Sequence, residues 1–289
     1  MIDAHLHLWD PAKLDYDWLR FVPTIAGRQG PEQCSAQGTG VRRAVFVQAD
    51  CAPDQALAEV DWVAEQAHPD LEILGIVAFA PLEQGAAVAD HLDALRQRPL
   101  VRGVRRSVQN EPDAFITDPR HLDGLVAVAE RGLTIDVCAR DHQLPLIIDL
   151  LGKLFERAPQ VRVVLDHLGK PDIAAHAGDI HGADWAGNLR SLAAFPNVFA
   201  KLSGLTTQDD WTDGRDETLV PYVRHALDCF GPDRLMFGGD WPVVDLAGGY
   251  ARWLNLFETT ITTMPPRDRL RIEAGTATEF YALTPETLA

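Results

Sequence analysis

The chain of 289 residues is 46% hydrophobic and 24% charged, with a formal charge of −16. That charge argues against nucleic acids and anionic membrane surfaces as partners, since their phosphates would repel it. No apolar run approaches the ~20 residues of a membrane span. The N-terminus places Asp3 and two histidines where a secretion signal would be basic and then apolar. Four scattered cysteines (Cys34, Cys51, Cys138 and Cys229) form no CxxC, so a cytoplasmic protein with reduced thiols is predicted.

Eight short runs rich in Val, Ile, Leu and Phe follow in chain order: "IDAHLH" (2–7), "RAVFVQA" (43–49), "EILGIVAFA" (72–80), "VRGVRRSV" (101–108), "LTIDVCA" (133–139), "VRVVLDH" (161–167), "NVFAKLS" (197–203) and "RLMFGGD" (234–240). The stretches 54–67, 121–132, 144–158 and 219–231 between them have helical spacing, and two end at Gly132 and Gly231. Strand–helix alternation predicts parallel βαβ units. Eight units predict one α/β domain over 1–289, a single (β/α)8 TIM barrel, and no GxGxxG follows the first run. The irregular stretch 10–41 is expected to lie over one barrel end.

Barrels carry their chemistry at the C-terminal ends of the strands. Those ends hold His5 and His7, Gln48, Arg105 and Arg106, then Asp136, Cys138 and Arg140, Asp166 and His167, Lys201 and Ser203, and Asp240 before Trp241. Side chains alternate faces along a strand. Ile2, Ala4 and Leu6 are therefore expected to face the outer helices, and Asp3, His5 and His7 the barrel mouth. The same rule sends Arg105 and Arg106 to opposite faces. An HxH at a strand end sets two imidazoles side by side, as a divalent metal needs, although an isolated HxH is more often solvated or core-satisfied. Structural alternatives stand beside the other sites. Asp240 suits a helix N-cap, His167 a turn cap, Lys201 a buried partner of Asp136 or Asp166, and Cys138 a packing role. Trp9 and Trp241 flank the site and could stack on a sugar ring or be core.

"DAHLHLWDP", "VLDHLGKP", "AKLSGL" and "MFGGDWPV" resemble the amidohydrolase superfamily, and within it the lactonase branch that includes L-fuconolactonase, L-rhamnonolactonase and 2-pyrone-4,6-dicarboxylate lactonase. The likeness runs from residue 2 to about 282. It implies a carboxylic ester hydrolase of carbohydrate metabolism that opens a sugar-acid lactone. Asp240 would activate water, His167 would assist, and His5, His7 and Asp240 would hold a metal. The fourth run lacks a bridging Lys or Glu and the fifth lacks a histidine, which argues against two metals. The resemblance leaves one divalent ion, zinc first, or a metal-free site. Without metal, Arg106, Lys201 or a protonated His167 would carry the oxyanion. Trp9, Gln48, Arg105, Arg106, Lys201 and Trp241 are the expected substrate contacts, and a small-molecule lactone the expected partner. A neutral aldonolactone is favoured over a pyrone dicarboxylate because carboxylates share the mouth with the cations. A metal-dependent decarboxylase on the same barrel is the alternative, and a catalytically silent sugar-binding barrel ranks last. Homo-oligomerisation stays open.

Overall fold

Each of the eight apolar runs contains a strand in the computed structural model, which describes residues 1–176, 179–180, 184–211 and 215–283. The strands are β1 (Asp3–Leu6), β2 (Arg43–Val47), β3 (Glu72–Ala78), β4 (Val101–Arg105), β5 (Thr134–Val137), β6 (Val163–Leu165), β7 (Val198–Leu202) and β8 (Leu235–Phe237). They pair in sequence order, every pair parallel. The ring is completed just past β8. The Asp240 N–H donates to the His5 carbonyl at 2.8 Å, and the His7 N–H donates to the Trp241 carbonyl at 2.8 Å. Closure itself therefore brings Asp240 beside the two histidines.

Helices α1 (Ala56–Ala64), α2 (Ala89–Arg96), α3 (Pro119–Glu130), α4 (Leu144–Arg157), α5 (Trp185–Ala193), α6 (Asp216–Phe230) and α7 (Tyr250–Ile261) surround the ring, and α8 (Thr276–Phe280) follows. Helix α4 buries Leu144, Ile147, Leu150, Leu151 and Leu154, one stripe at helical period. Helix α3 starts with Pro119 behind Asp118, whose carboxylate accepts the Arg120 N–H at 2.8 Å. Gly132 and Gly231, at φ 69° and 64°, stop α3 and α6 as expected. No helix among the described residues is long and apolar enough to cross a membrane.

Two apolar layers result. Outward residues of the strands, among them Leu6, Phe46, Ile76, Val104, Ile135, Val163, Ala200 and Phe237, pack on the helices. Inward residues such as Val45, Val47, Val164 and Met236 meet Ala277, Phe280 and Tyr281, so the C-terminal segment plugs the barrel interior.

The first strand departs from strict alternation. Ile2 and Ala4 lie in the inner layer and Leu6 in the outer one, which corrects the expectation that the three share a face. Register explains it: Asp3 pairs with Ala44 but Leu6 with Phe46, three steps against two. The extra residue is a bulge that flips the side-chain phase. Asp3 consequently accepts from the Tyr250 hydroxyl on α7 at 2.6 Å, outside the barrel. His5 and His7, beyond the bulge, still point in.

The stretch 10–41 does lie over one end. Its Leu14, Tyr16, Leu19 and Ile25 pack with Trp9, Ala49 and Cys51, and against Val243 and Leu246 beyond β8. That is the end at which the strands present their C-termini.

Candidate active site

Four of the expected residues converge on one point. Asp240 Oδ1 lies 3.5 Å from His7 Nε2, 3.8 Å from His5 Nε2 and 3.9 Å from His167 Nε2. The two first-strand Nε2 atoms are 3.2 Å apart. Gly204 makes room here: a Cβ on it would stand 2.4 Å from His167 Nδ1 and 2.9 Å from Asp240 Oδ2.

The supporting contacts fix the rings. The Val47 carbonyl accepts from His7 Nδ1 at 2.7 Å, so Nδ1 carries a proton and Nε2 is the nitrogen turned to the site. His167 Nδ1 meets the Ser203 hydroxyl at 2.9 Å. His5 Nδ1 has Asp166 Oδ1 at 3.2 Å and Lys201 Nζ at 3.1 Å. Either tautomer of His5 is therefore served: the carboxylate accepts from a protonated Nδ1, and the ammonium donates to a bare one.

Electrostatics set the protonation states. Burial, reinforced by Lys201, His7 and Arg105, pushes His5 well below the ordinary imidazole range. Burial does the same to His167, with Asp240 partly opposing. Burial alone would raise the Asp240 carboxyl, but His167, the His7 hydrogen bond and Lys170 hold it below its ordinary value. The site thus combines imidazoles of His5 and His167 that resist protonation with an ionised carboxylate, a general base set among nitrogen donors.

The donor set fits a divalent ion. A proton or a cation must lie between two imidazole nitrogens 3.2 Å apart. A tetrahedral ion with ligands at about 2.0–2.1 Å places them about 3.3 Å from one another, close to the spacings of His5, His7 and Asp240. Imidazoles backed by a carbonyl, as His7 is, or by a carboxylate, as His5 is, are the usual arrangement of metal ligands. Among the described residues a second donor group, His5, Asp166 and His167, shares one histidine with the first. Its Asp166 is already faced by Lys201 at 3.0 Å and Arg105 at 3.3 Å, two cations that would repel an ion there.

A cavity of about 200 Å3 opens over this floor. It is lined by His7, His167 and Asp240 together with Trp18, Asp50, Arg105, Gln109, Asn110, Cys138, Lys170 and Thr207. Of the expected substrate contacts, Arg105 lines it. Gln48 does not, but its side-chain amide donates to the Asp50 carboxylate at 2.9 Å and its main-chain carbonyl accepts from Arg105 at 2.6 Å.

Three expectations are corrected. Lys201 is fully buried below His5, paired with Asp136 at 2.5 Å and Asp166 at 3.0 Å, and reaches no substrate. Arg106 turns outward to Glu83 at 3.0 Å and Glu111 at 2.7 Å, because alternation gave the inward place to Arg105. Trp9 and Trp241 are fully buried. Their indole N–H groups are taken by the Gly27 carbonyl at 2.9 Å and the Asp245 carboxylate at 3.0 Å. The aromatic on the wall is Trp18, edge-on to Trp9 at 5.2 Å and tied to the Ala49 carbonyl at 2.8 Å. Cys138 lines the wall as well as packing, with its thiol pushed up by burial.

Sequence reasoning missed Trp18, Asp50, Gln109, Asn110 and Thr207, all on connections after strands. Position just past an apolar run was the available signal for Asp50, Gln109 and Asn110. Trp18 lies in an aperiodic stretch and had none.

The amidohydrolase family profile matches residues 2–283. An L-fucono-1,5-lactonase of Burkholderia multivorans is 32% identical over 295 residues, spanning 98% of this chain and 96% of that protein. The crystal structure of an amidohydrolase from Burkholderia multivorans with bound HEPES superposes with a TM-score of 0.86 at 31% identity, covering 98% of this chain and 99% of that one. A second such structure, with bound zinc, superposes with a TM-score of 0.84 at 31% identity and the same coverage.

Proposed function

From the premise that the chain belongs to the amidohydrolase family, matched along nearly its whole length, we propose that it is a hydrolase opening the lactone of a sugar acid to its hydroxy acid. The observation that carries this reading is the convergence of three imidazole Nε2 atoms on one ionised carboxylate at a cavity floor. The name of the L-fucono-1,5-lactonase relative supports the substrate class. Cavity size supports it too. About 200 Å3 is below the roughly 300–1,000 Å3 of drug-sized pockets and suits one small ring.

Asp240 acts as general base in this reading. It takes a proton from water while the water oxygen bonds to the lactone carbonyl carbon. The tetrahedral oxyanion then collapses, the ring C–O bond breaks, and the Asp240 proton passes to the departing ring oxygen. Neutral His167, held by Ser203, orients the attacking water. His5, His7 and Asp240 would hold a divalent ion, which when bound lowers the pKa of water and polarises the carbonyl. Zinc is the ion we propose, since two imidazoles and a carboxylate are among its usual ligands.

A pH-indicator assay with L-fucono-1,5-lactone and a panel of other aldonolactones tests the function, with metal content measured on the same sample. Proton release with kcat/KM of at least ~10⁴ M⁻¹s⁻¹ on one of them is expected. No release above the spontaneous rate on any would refute it, and CO2 release from an aromatic acid would establish a decarboxylase instead.

A further inference from the structure

We propose that Lys170 is the cation that holds the lactone carbonyl oxygen as it becomes an oxyanion, an assignment that rests on the lactonase reading above. Attack by water builds a negative charge on that oxygen, and fixed donors aimed at developing charge are a large source of rate enhancement. The cations near the site differ in what they can reach. Lys201 is sealed below His5 between two carboxylates. Arg106 faces the outer side of the barrel. Arg105 touches the cavity, but one guanidinium nitrogen faces Asp166 at 3.3 Å and another donates to the Gln48 carbonyl at 2.6 Å.

Lys170 is placed differently. It lines the same cavity as His7, His167 and Asp240 and is partly exposed. Its ammonium donates to Gln109 Oε1 at 2.5 Å, on another cavity residue. An ammonium has three N–H donors, so two remain for a ligand.

The backbone delivers it by an unusual route. His167, Leu168, Gly169 and Lys170 all have left-handed φ, 52°, 52°, 73° and 49°. Three of the four are L residues with a Cβ, for which that conformation is costly, and such strain persists where the surroundings over-determine it. Here they do. The Trp185 indole N–H donates to the Leu168 carbonyl at 2.7 Å, the Lys170 N–H donates to the His167 carbonyl at 2.9 Å, and Gly169 lies so close to Leu144 that a Cβ would stand 2.7 Å from it. The left-handed turn carries His167 and Lys170 to one cavity.

The test compares wild type with Lys170→Met and Lys170→Arg on aldonolactones that differ in single hydroxyls. Lys170→Met should lower kcat by ~10²–10³ with KM within about threefold, the size of loss expected for one oxyanion donor. The loss should be the same whichever hydroxyl is missing. Inhibition by the product hydroxy acid, whose carboxylate occupies the carbonyl position, should weaken at least tenfold. Lys170→Arg, which keeps the charge, should recover part of kcat, and thermal melts should show both variants folded. Unchanged kcat in Lys170→Met, a loss confined to KM, or a loss confined to lactones bearing one particular hydroxyl would overturn the assignment and leave the lactonase reading intact. A wild-type enzyme that opens no aldonolactone would instead overturn that reading, and this assignment with it.

Discussion

Lys201 and His5, 196 positions apart in sequence, meet with Nζ 3.1 Å from Nδ1 beneath the floor of the cavity. The ammonium is fully buried and pairs with Asp136 and Asp166, while Asp136 also accepts from the Tyr281 hydroxyl at 2.8 Å. The barrel plug, the buried ion cluster and the proposed metal ligands thus form one column of contacts. Lys201→Met would leave two carboxylates without their shared cation. Breaking a buried pair by removing one partner costs about 3–5 kcal/mol, and urea unfolding should show a loss of that order. A loss under about 1 kcal/mol would mean the pair contributes little to folding.

Asp240→Asn tests the base. The amide is nearly isosteric and cannot take the water proton, so kcat should fall by ~10²–10⁴ with the melting temperature little changed. Near-wild-type kcat would remove Asp240 from that role.

One divalent ion per chain is expected at His5, His7 and Asp240, because the second donor group relies on an Asp166 already faced by two cations. Elemental analysis should give close to one equivalent in wild type and little in His7→Ala. Two equivalents that both survive chelator-free dialysis would contradict this.

The convergence of His5, His7, His167 and Asp240 is readable in the sequence because strand ends are readable, and in a closed ring strand ends meet. Two kinds of feature were not readable. One is a break in periodicity: the bulge in β1 changes which face Ile2 and Ala4 take, and no residue type there marks it. The other is depth. Alternation sends Lys201 inward and sets Arg105 and Arg106 on opposite faces without saying which is inside, and whether an inward side chain reaches the cavity depends on its layer along the barrel axis. Beyond the strand ends alternation stops applying, so Trp9 and Trp241 fall into packed loops while Trp18 takes the wall.

Glu59 makes a prediction away from the chemistry. It is fully buried on α1, its Oε1 accepts the Ala49 N–H at 3.1 Å, and the Tyr16 hydroxyl and Cys51 thiol face the same carboxylate. Burial raises its carboxyl from 4.5 to about 8. A folded state that keeps a proton longer than the unfolded chain loses stability as pH rises from 4.5 through about 8. Asp3 and Asp136, raised from 3.8 to about 6, act in the same sense over a lower window. The lowered His5 and His167 act in the opposite sense. The difference between wild type and Glu59→Gln isolates this one group, and the variant should gain on wild type by on the order of 2 kcal/mol between pH 6 and pH 8. Parallel stability curves over that range would show that Glu59 ionises normally.

The choice of substrate follows from the charges that remain available at the mouth. A dicarboxylate lactone would need two fixed cations free to bind it, preferably arginines in bidentate geometry. Among the described residues the cavity wall offers Arg105 and Lys170, and Arg105 is already engaged by Asp166 and Gln48. Asp50 and Asp240 on the same wall would repel a dianion. A polyhydroxy lactone meets a better match. Asp50 accepts from hydroxyls, Gln109, Asn110 and Thr207 donate or accept, and Trp18 gives its ring a face to stack on. Trp18 packs edge-to-face with Trp9, and its indole N–H donates to the Ala49 carbonyl, so stacking would need little further ordering of the ring. Side-by-side kinetics should therefore give kcat/KM at least tenfold higher on the preferred aldonolactone than on 2-pyrone-4,6-dicarboxylate. Trp18→Ala should raise KM for the aldonolactone by about fivefold to tenfold, about 1 to 1.4 kcal/mol on the scale where 1.4 kcal/mol is tenfold. Activity on a neutral lactone should change little between low and physiological salt, because screening weakens capture of a charged substrate and leaves a neutral one nearly untouched. A preference for the dicarboxylate together with a steep fall in rate as salt is added would reject the neutral-sugar assignment.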